Sequence, residues 1–158
     1  MMRLLRTGIL LIILLIIFVM VKMLFFKAED VPKDIVIKAF NHNTEQFEYV
    51  KNTLKKEDYI IECSLLNDEV TFGKYDKLTD KMVSHEINSN ELKQKIKFIL
   101  KDLGFARISK SMDEVFFVFA GGYDNNVGIR YLITDNKDSH YVYENIKDRW
   151  YFTFFPGI

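Results

Sequence analysis

Glu114-Val-Phe-Phe-Val-Phe-Ala120 is the stretch on which the fold turns. Side chains alternate between the two sides of a strand, and both alternating sets here are apolar. A strand apolar on both sides belongs in the middle of a sheet with each side covered. Gly121-Gly-Tyr-Asp-Asn125 follows it and turns the chain. Beyond that turn, Asn126–Thr134 alternates, with Val127, Ile129, Tyr131 and Ile133 on one side. Before it, Phe105–Lys110 reads as a neighbouring strand. Asp135-Asn-Lys-Asp138 makes another turn. Trp150-Tyr-Phe-Thr-Phe-Phe155 then closes the sheet, and Pro156-Gly157 end it. The last third is expected to be an antiparallel meander.

Working upstream, the pattern changes period. Leu92, Ile96, Ile99, Leu100 and Leu103 recur at helical spacing. Asn88 and Glu91 have the capping-box spacing at its start, and Gly104 stands where a left-handed C-terminal residue is wanted. Tyr59–Leu66 and Val70–Tyr75 read as strands joined at Asn67-Asp68, and a short strand falls within Met82–Ile87. Asn43-Thr-Glu-Gln46 is a second capping box. It opens a helix through about Lys56 with Phe47, Val50 and Leu54 on one face. A helical turn is expected at Asp34–Phe40. Helices on one face of an antiparallel sheet make an α+β domain.

The N-terminus is of another kind. Gly8–Val21 is uninterrupted apolar sequence, resumed after Lys22 as Met23-Leu-Phe-Phe26. As a helix, Ile9–Phe26 would span about 27 Å, close to the hydrocarbon thickness of a bilayer. Lys22 lies one turn from the end, where its stem reaches the interface. Residues 1–26 are therefore read as a transmembrane anchor, 27–34 as a polar stalk and 35–158 as the domain. A cleaved signal peptide shares the charged start and apolar run. Its nearest cleavage candidate, Phe26-Lys27-Ala28, places a bulky Phe where a small residue belongs. Arg3 and Arg6 precede the run with no acid, which puts the N-terminus in the cytoplasm and the domain outside.

Lys and Arg together number 22, as do Asp and Glu, and residues 1–26 hold three of the bases and none of the acids. The remainder carries 19 bases and 22 acids, a net charge of −3. That balance gives no electrostatic footprint for nucleic acid. A single cysteine, Cys63, rules out a disulfide framework and a cysteine-based zinc site. It shares a strand face with Tyr59, Ile61 and Leu65, so a small core residue is expected.

His42, His85 and His140 lie far apart without metal-ligand spacing and read as exposed loop residues. Asp124-Asn-Asn126 and Asp135–Asp138 lack the spacing of a calcium loop and read as turns. Gly121-Gly122 leads into a strand, so no helix N-terminus is offered to a phosphate. Lys93, Lys95, Lys97 and Lys101 read as a solvated helix face. No catalytic residue, metal ligand or cofactor site is expected, and the chain is not expected to be an enzyme.

One group invites a functional reading. Tyr131, Tyr141, Tyr143, Trp150 and Tyr151 fall within 21 residues. Tyr and Trp are enriched at protein interfaces, and a sheet core uses the same residues. Both readings stand at this point. The basic start, the single apolar span, Asn43-Thr-Glu-Gln-Phe47, Gly128-Ile-Arg-Tyr131 and Trp150-Tyr151 resemble small exported Gram-positive proteins, some of them immunity proteins. The resemblance implies a binding protein displayed outside the membrane, without catalysis. The expectation is an anchor in the lipid bilayer through residues 8–26 and a protein partner met by the outer domain. The alternative is an accessory component of an envelope, secretion or sporulation complex.

Overall fold

The computed structural model describes residues 33–120 and 126–155. These residues hold three helices on one face of an eight-stranded, wholly antiparallel sheet. The α+β expectation holds for the domain. No helix among the described residues is long and apolar enough to cross a membrane. The apolar run 8–26, most of the stalk, the turn at 121–125 and Pro156-Gly157 lie outside them.

Helix α1 is Lys33–His42, so Lys33 and Asp34 of the expected stalk are helical. Val36 and Phe40, one turn apart, are its buried residues. Helix α2, Thr44–Leu54, buries Phe47, Val50 and Leu54. The capping box foreseen at Asn43 does not form. Only one residue separates the two helices, and Asn43 serves the one before it. Its side-chain amide donates to the Ala39 carbonyl at 2.9 Å, and the Thr44 hydroxyl donates to that of Phe40 at 3.1 Å. Both bonds satisfy carbonyls that the end of α1 leaves open.

Strands β1 (Ile61–Leu66) and β2 (Glu69–Asp76) form a hairpin across Asn67-Asp68. Both turn residues have positive φ, 51° and 66°, as a two-residue turn matched to sheet twist requires. Strand β3, Lys81–His85, is the edge partner of β2.

Helix α3 is Asn90–Lys97. Its cap is Ser89, whose hydroxyl accepts from the Leu92 amide at 3.2 Å; the expected cap was Asn88. Past Lys97 the helix widens into a π-turn, Phe98–Asp102, where the Leu103 amide donates to the Phe98 carbonyl at 3.1 Å. Ile99 and Leu100 are buried there, and Gly104 ends the run at φ 76°. The stripe seen in the sequence is real, although its last turn is not α-helical.

The remaining strands are β4 (Arg107–Lys110), β5 (Glu114–Ala120), β6 (Val127–Leu132), β7 (Val142–Lys147) and β8 (Trp150–Phe154). The sheet order is β3-β2-β1-β4-β5-β6-β8-β7. Strands β4 to β6 form the meander that was read, with β5 central. The sequence reading had no β7, and it ended the sheet on the Trp150 strand. That strand instead lies inside, between β6 and β7. After β6 the chain passes the vacant place, lays down β7 at the edge, and folds back through Asp148-Arg149 to fill the gap.

The core lies between helices and sheet. Phe40, Phe47, Phe117 and Trp150 meet there, with ring centroids of Phe40–Trp150 at 4.8 Å and Phe47–Phe117 at 4.9 Å. Burying aromatics of this size is worth about 2–3 kcal/mol each.

Candidate functional site

Strand alternation divides Tyr131, Tyr143, Trp150 and Tyr151 between the two sides of the sheet. Trp150 faces the helices and is 1% exposed. Its indole N–H donates to Glu48 Oε1 at 2.7 Å, and Lys51 Nζ lies 2.6 Å from Glu48 Oε2. Tyr131, opposite Trp150 in the ladder, packs on it edge-on at 5.2 Å with Lys51 Nζ 4.3 Å from its centroid. Burial alone would raise the Glu48 carboxyl. Hydrogen bonds from Lys51 and Trp150, with the charges of Lys51 and Lys147, outweigh it and hold the group below the usual carboxylate range. This cluster ties α2 to β8. Trp150 is thus a core residue and offers nothing to a partner.

Tyr141, Tyr143 and Tyr151 stand on the other side, around Arg130. Arg130 is 3% exposed. Its guanidinium carbon lies 3.8 Å from the Phe116 centroid and 3.9 Å from that of Tyr141. Nε donates to Thr153 Oγ1 at 3.1 Å, and Nη1 donates to Glu114. An arginine held between two rings with its charge met by a carboxylate is a structural post. Beside it, Asn126 accepts from Arg107 at 3.2 Å. Tyr143 packs on Tyr151 at 5.8 Å, with Lys137 Nζ 4.5 Å from the Tyr151 centroid. The signal in the sequence was a lone arginine at the outward position of an apolar strand. Nothing local revealed that rings would close over it.

The other candidates take structural places. Cys63 is fully buried, and burial pushes its thiol up, away from nucleophilic use. His85 is not a loop residue. It ends β3, and its Nε2 lies 2.8 Å from the Tyr59 hydroxyl. Burial, with Glu57 and Asp58 nearby, pushes that phenol up to about 12. His42 closes α1 with Nδ1 on the Lys38 carbonyl, and only His140 lies in an exposed loop. Lys97 and Lys101 both hold Asp68 at 2.8 Å, which keeps that carboxyl down at about 2. Lys110 is buried on β4, and its ammonium donates to the carbonyls of Glu57 and Tyr59. No group of three or more His, Cys, Asp or Glu able to hold a metal stands together among the described residues.

The side of β1–β3 turned away from the helices is uncovered by the described residues. Glu62, Ser64 and Leu66 on β1, Thr71 and Gly73 on β2, and Met82 and Ser84 on β3 line a shallow depression of about 370 Å³. Ser64 and Thr71 hydroxyls pair across it at 3.0 Å. Gly73 forms its floor, with the Met82 side chain lying across it. This surface has apolar walls and a hydroxyl floor, and offers contact area in place of acid–base chemistry. Comparisons with family models, with curated proteins and with solved structures give no match to this chain.

Proposed function

We propose that the chain is a membrane-anchored, extracytoplasmic protein-binding module of the immunity type, which protects its cell by covering the working surface of a toxin. The observation that carries the reading is the open side of β1–β3. Leu66 and Met82 stand exposed there beside an edge strand that is neither bulged nor capped by proline. Exposed apolar residues on an uncovered sheet side next to a sheet edge offer a contact surface. The second support is the apolar run 8–26 behind Arg3 and Arg6, which would hold that surface outside the membrane.

The test is protection. Cells lacking the protein are challenged with a secreted toxin encoded beside it, then supplied with the full chain. Restored survival is the expected result. Sensitivity that is identical with and without the chain would sink the immunity reading. Exchange of residues 1–26 for an unrelated single-span anchor separates this from the envelope-component alternative. Protection should survive the exchange, whereas a component that pairs through its own span should fail.

A further inference from the structure

We infer that β3 pairs with itself: two copies of the chain join β3 to β3 antiparallel, and one sheet runs through both. The inference goes beyond the binding reading above and stands or falls without it. The register shows which backbone groups are free. The Tyr75 amide donates to the Ile60 carbonyl at 3.1 Å, so Tyr75 turns its backbone groups to β1. Its neighbour on β3 is Met82, whose N–H and C=O therefore point away from β2. Those of Ser84, two residues on, point the same way. The β2–β3 ladder runs without a register shift. The other edge differs. Strand β7 shifts register between Asn145 and Lys147, Asp148 follows at φ 44°, and Glu144 is engaged by Lys33 of α1. Bulges and charges at an edge turn a further strand away.

One symmetric register uses all the outward groups of Met82 and Ser84. A two-fold axis normal to the sheet at Val83 sets Met82 opposite Ser84 of the second copy, where each bonds the other's N–H and C=O. Val83 then meets Val83 of the second copy in the closer, non-bonded kind of pair. The side chains fit this register. Away from the helices, Gly73 and Ser84 are cross-strand neighbours lining the depression described above, with Glu62 beyond them on β1. Tyr75 and Met82 are the next such row. Pairing about Val83 continues the first row into Met82 and Tyr75 of the second copy. Small side chains meet large ones, and the symmetry makes the match twice. On the helix side, Val83 is 41% exposed and gains an apolar cross-strand partner.

The charges permit the pair. Lys81 alone among the residues of β3 carries a formal charge, and Asp76 stands opposite it on β2. Its new neighbour is His85 of the second copy. Within each copy, His85 Nε2 lies 2.8 Å from the Tyr59 hydroxyl, and Lys74 Nζ lies 3.9 Å from the Tyr59 centroid. Beyond the ladder, Asp80, which shares its turn with Lys77, comes near Glu86 of the second copy. That like-charge contact at each end limits the affinity and gives the register a signature.

The test traps the pair. The full chain carrying Val83→Cys, Lys81→Cys or Val142→Cys is oxidised with copper phenanthroline in mild detergent, with wild type, whose Cys63 is buried, as background. In this register the two Val83 positions stand about 4.5 Å apart at Cα, within reach of a disulfide, and the two Lys81 positions roughly 14 Å. Val83→Cys should crosslink to a dimer, whereas Lys81→Cys and Val142→Cys should stay at background. Adding Ser84→Pro to Val83→Cys removes an outward N–H, a change that an edge strand tolerates, and should cut the yield at least about fivefold. Adding Glu86→Lys should raise it about two- to fivefold by giving Asp80 a cation. Equal urea midpoints establish that each variant folds. No dimer from folded Val83→Cys, or equal yields from Val83→Cys and Lys81→Cys, overturns the inference. So does crosslinking at Val142→Cys alone, or a yield unmoved by Ser84→Pro. A yield lowered by Glu86→Lys overturns the register.

Discussion

Strands β1–β3 and strands β5, β6 and β8 share one sheet and one layer of helices, yet their other sides differ. On β5, β6 and β8 the side away from the helices is as buried as the core. Phe116, Val118, Arg130, Leu132 and Thr153 are all under 5% exposed. On β1–β3 the same side carries Leu66, Met82 and Ser84, each exposed. The chemistry follows the covering. Where Tyr141 folds back over the sheet, a guanidinium is stacked and neutralised. Where none of the described residues folds back, the side carries hydroxyls and exposed apolar side chains. One half is a foundation and the other a surface, so mutations in the two should differ sharply in cost.

The largest effect is expected at Gly128→Ala. A Cβ there would lie 2.0 Å from the Phe117 carbonyl oxygen, a backbone atom of the neighbouring strand. Strand β5 slips its register next to this point, between Val118 and Ala120, and brings its backbone close. We expect a loss above about 4 kcal/mol or no folded protein, read by urea denaturation. A variant within 1 kcal/mol of wild type would remove the foundation argument.

Arg130→Met comes next, at about 3 kcal/mol, because Glu114 is left beside the buried site without its partner. Adding Glu114→Gln should recover part of that loss. Trp150→Phe should cost about 1–2 kcal/mol through the lost bond to Glu48.

Glu48 also sets a pH signature. Its folded-state pKa is depressed, so its contribution is full above the unfolded carboxylate value near 4.5 and is lost as pH falls through the folded value. Glu48→Gln should flatten that part of the acid-side stability profile. An unchanged profile would mean that the Lys51–Glu48–Trp150 cluster does not bind α2 to the sheet. The smallest effect is expected on the surface half, where Met82→Ser should shift stability by less than about 0.5 kcal/mol.

The same division explains what the sequence disclosed. The β1–β2 hairpin, β5, α2 and α3 were legible because each carries its pattern within itself: a two-residue turn, an apolar run, a stripe ended by glycine. Strand β7 was not, because an edge strand with Glu144, Asn145 and Lys147 buries too little to show a period. The site group was half legible. Five aromatics were seen, but their sorting to two sides depends on pairing. Trp150 meets its hydrogen-bond partner 102 residues upstream, a distance no local pattern spans. The cap at Asn43 failed for a related reason. Its spacing was correct, but an adjoining helix had prior use of its side chain.

The placing of β8 between β6 and β7 has a consequence for how the molecule is made. A chain produced from its N-terminus releases both neighbours before the strand that separates them. Until residues 150–154 arrive, β6 has an unpaired edge, β7 has no ladder, and Phe40, Phe47 and Phe117 wait without their indole. Earlier strands can zip in order, whereas this half assembles only once residues 150–154 have been made. If the domain crosses a membrane as it is made, its last inner strand must complete that half on the far side.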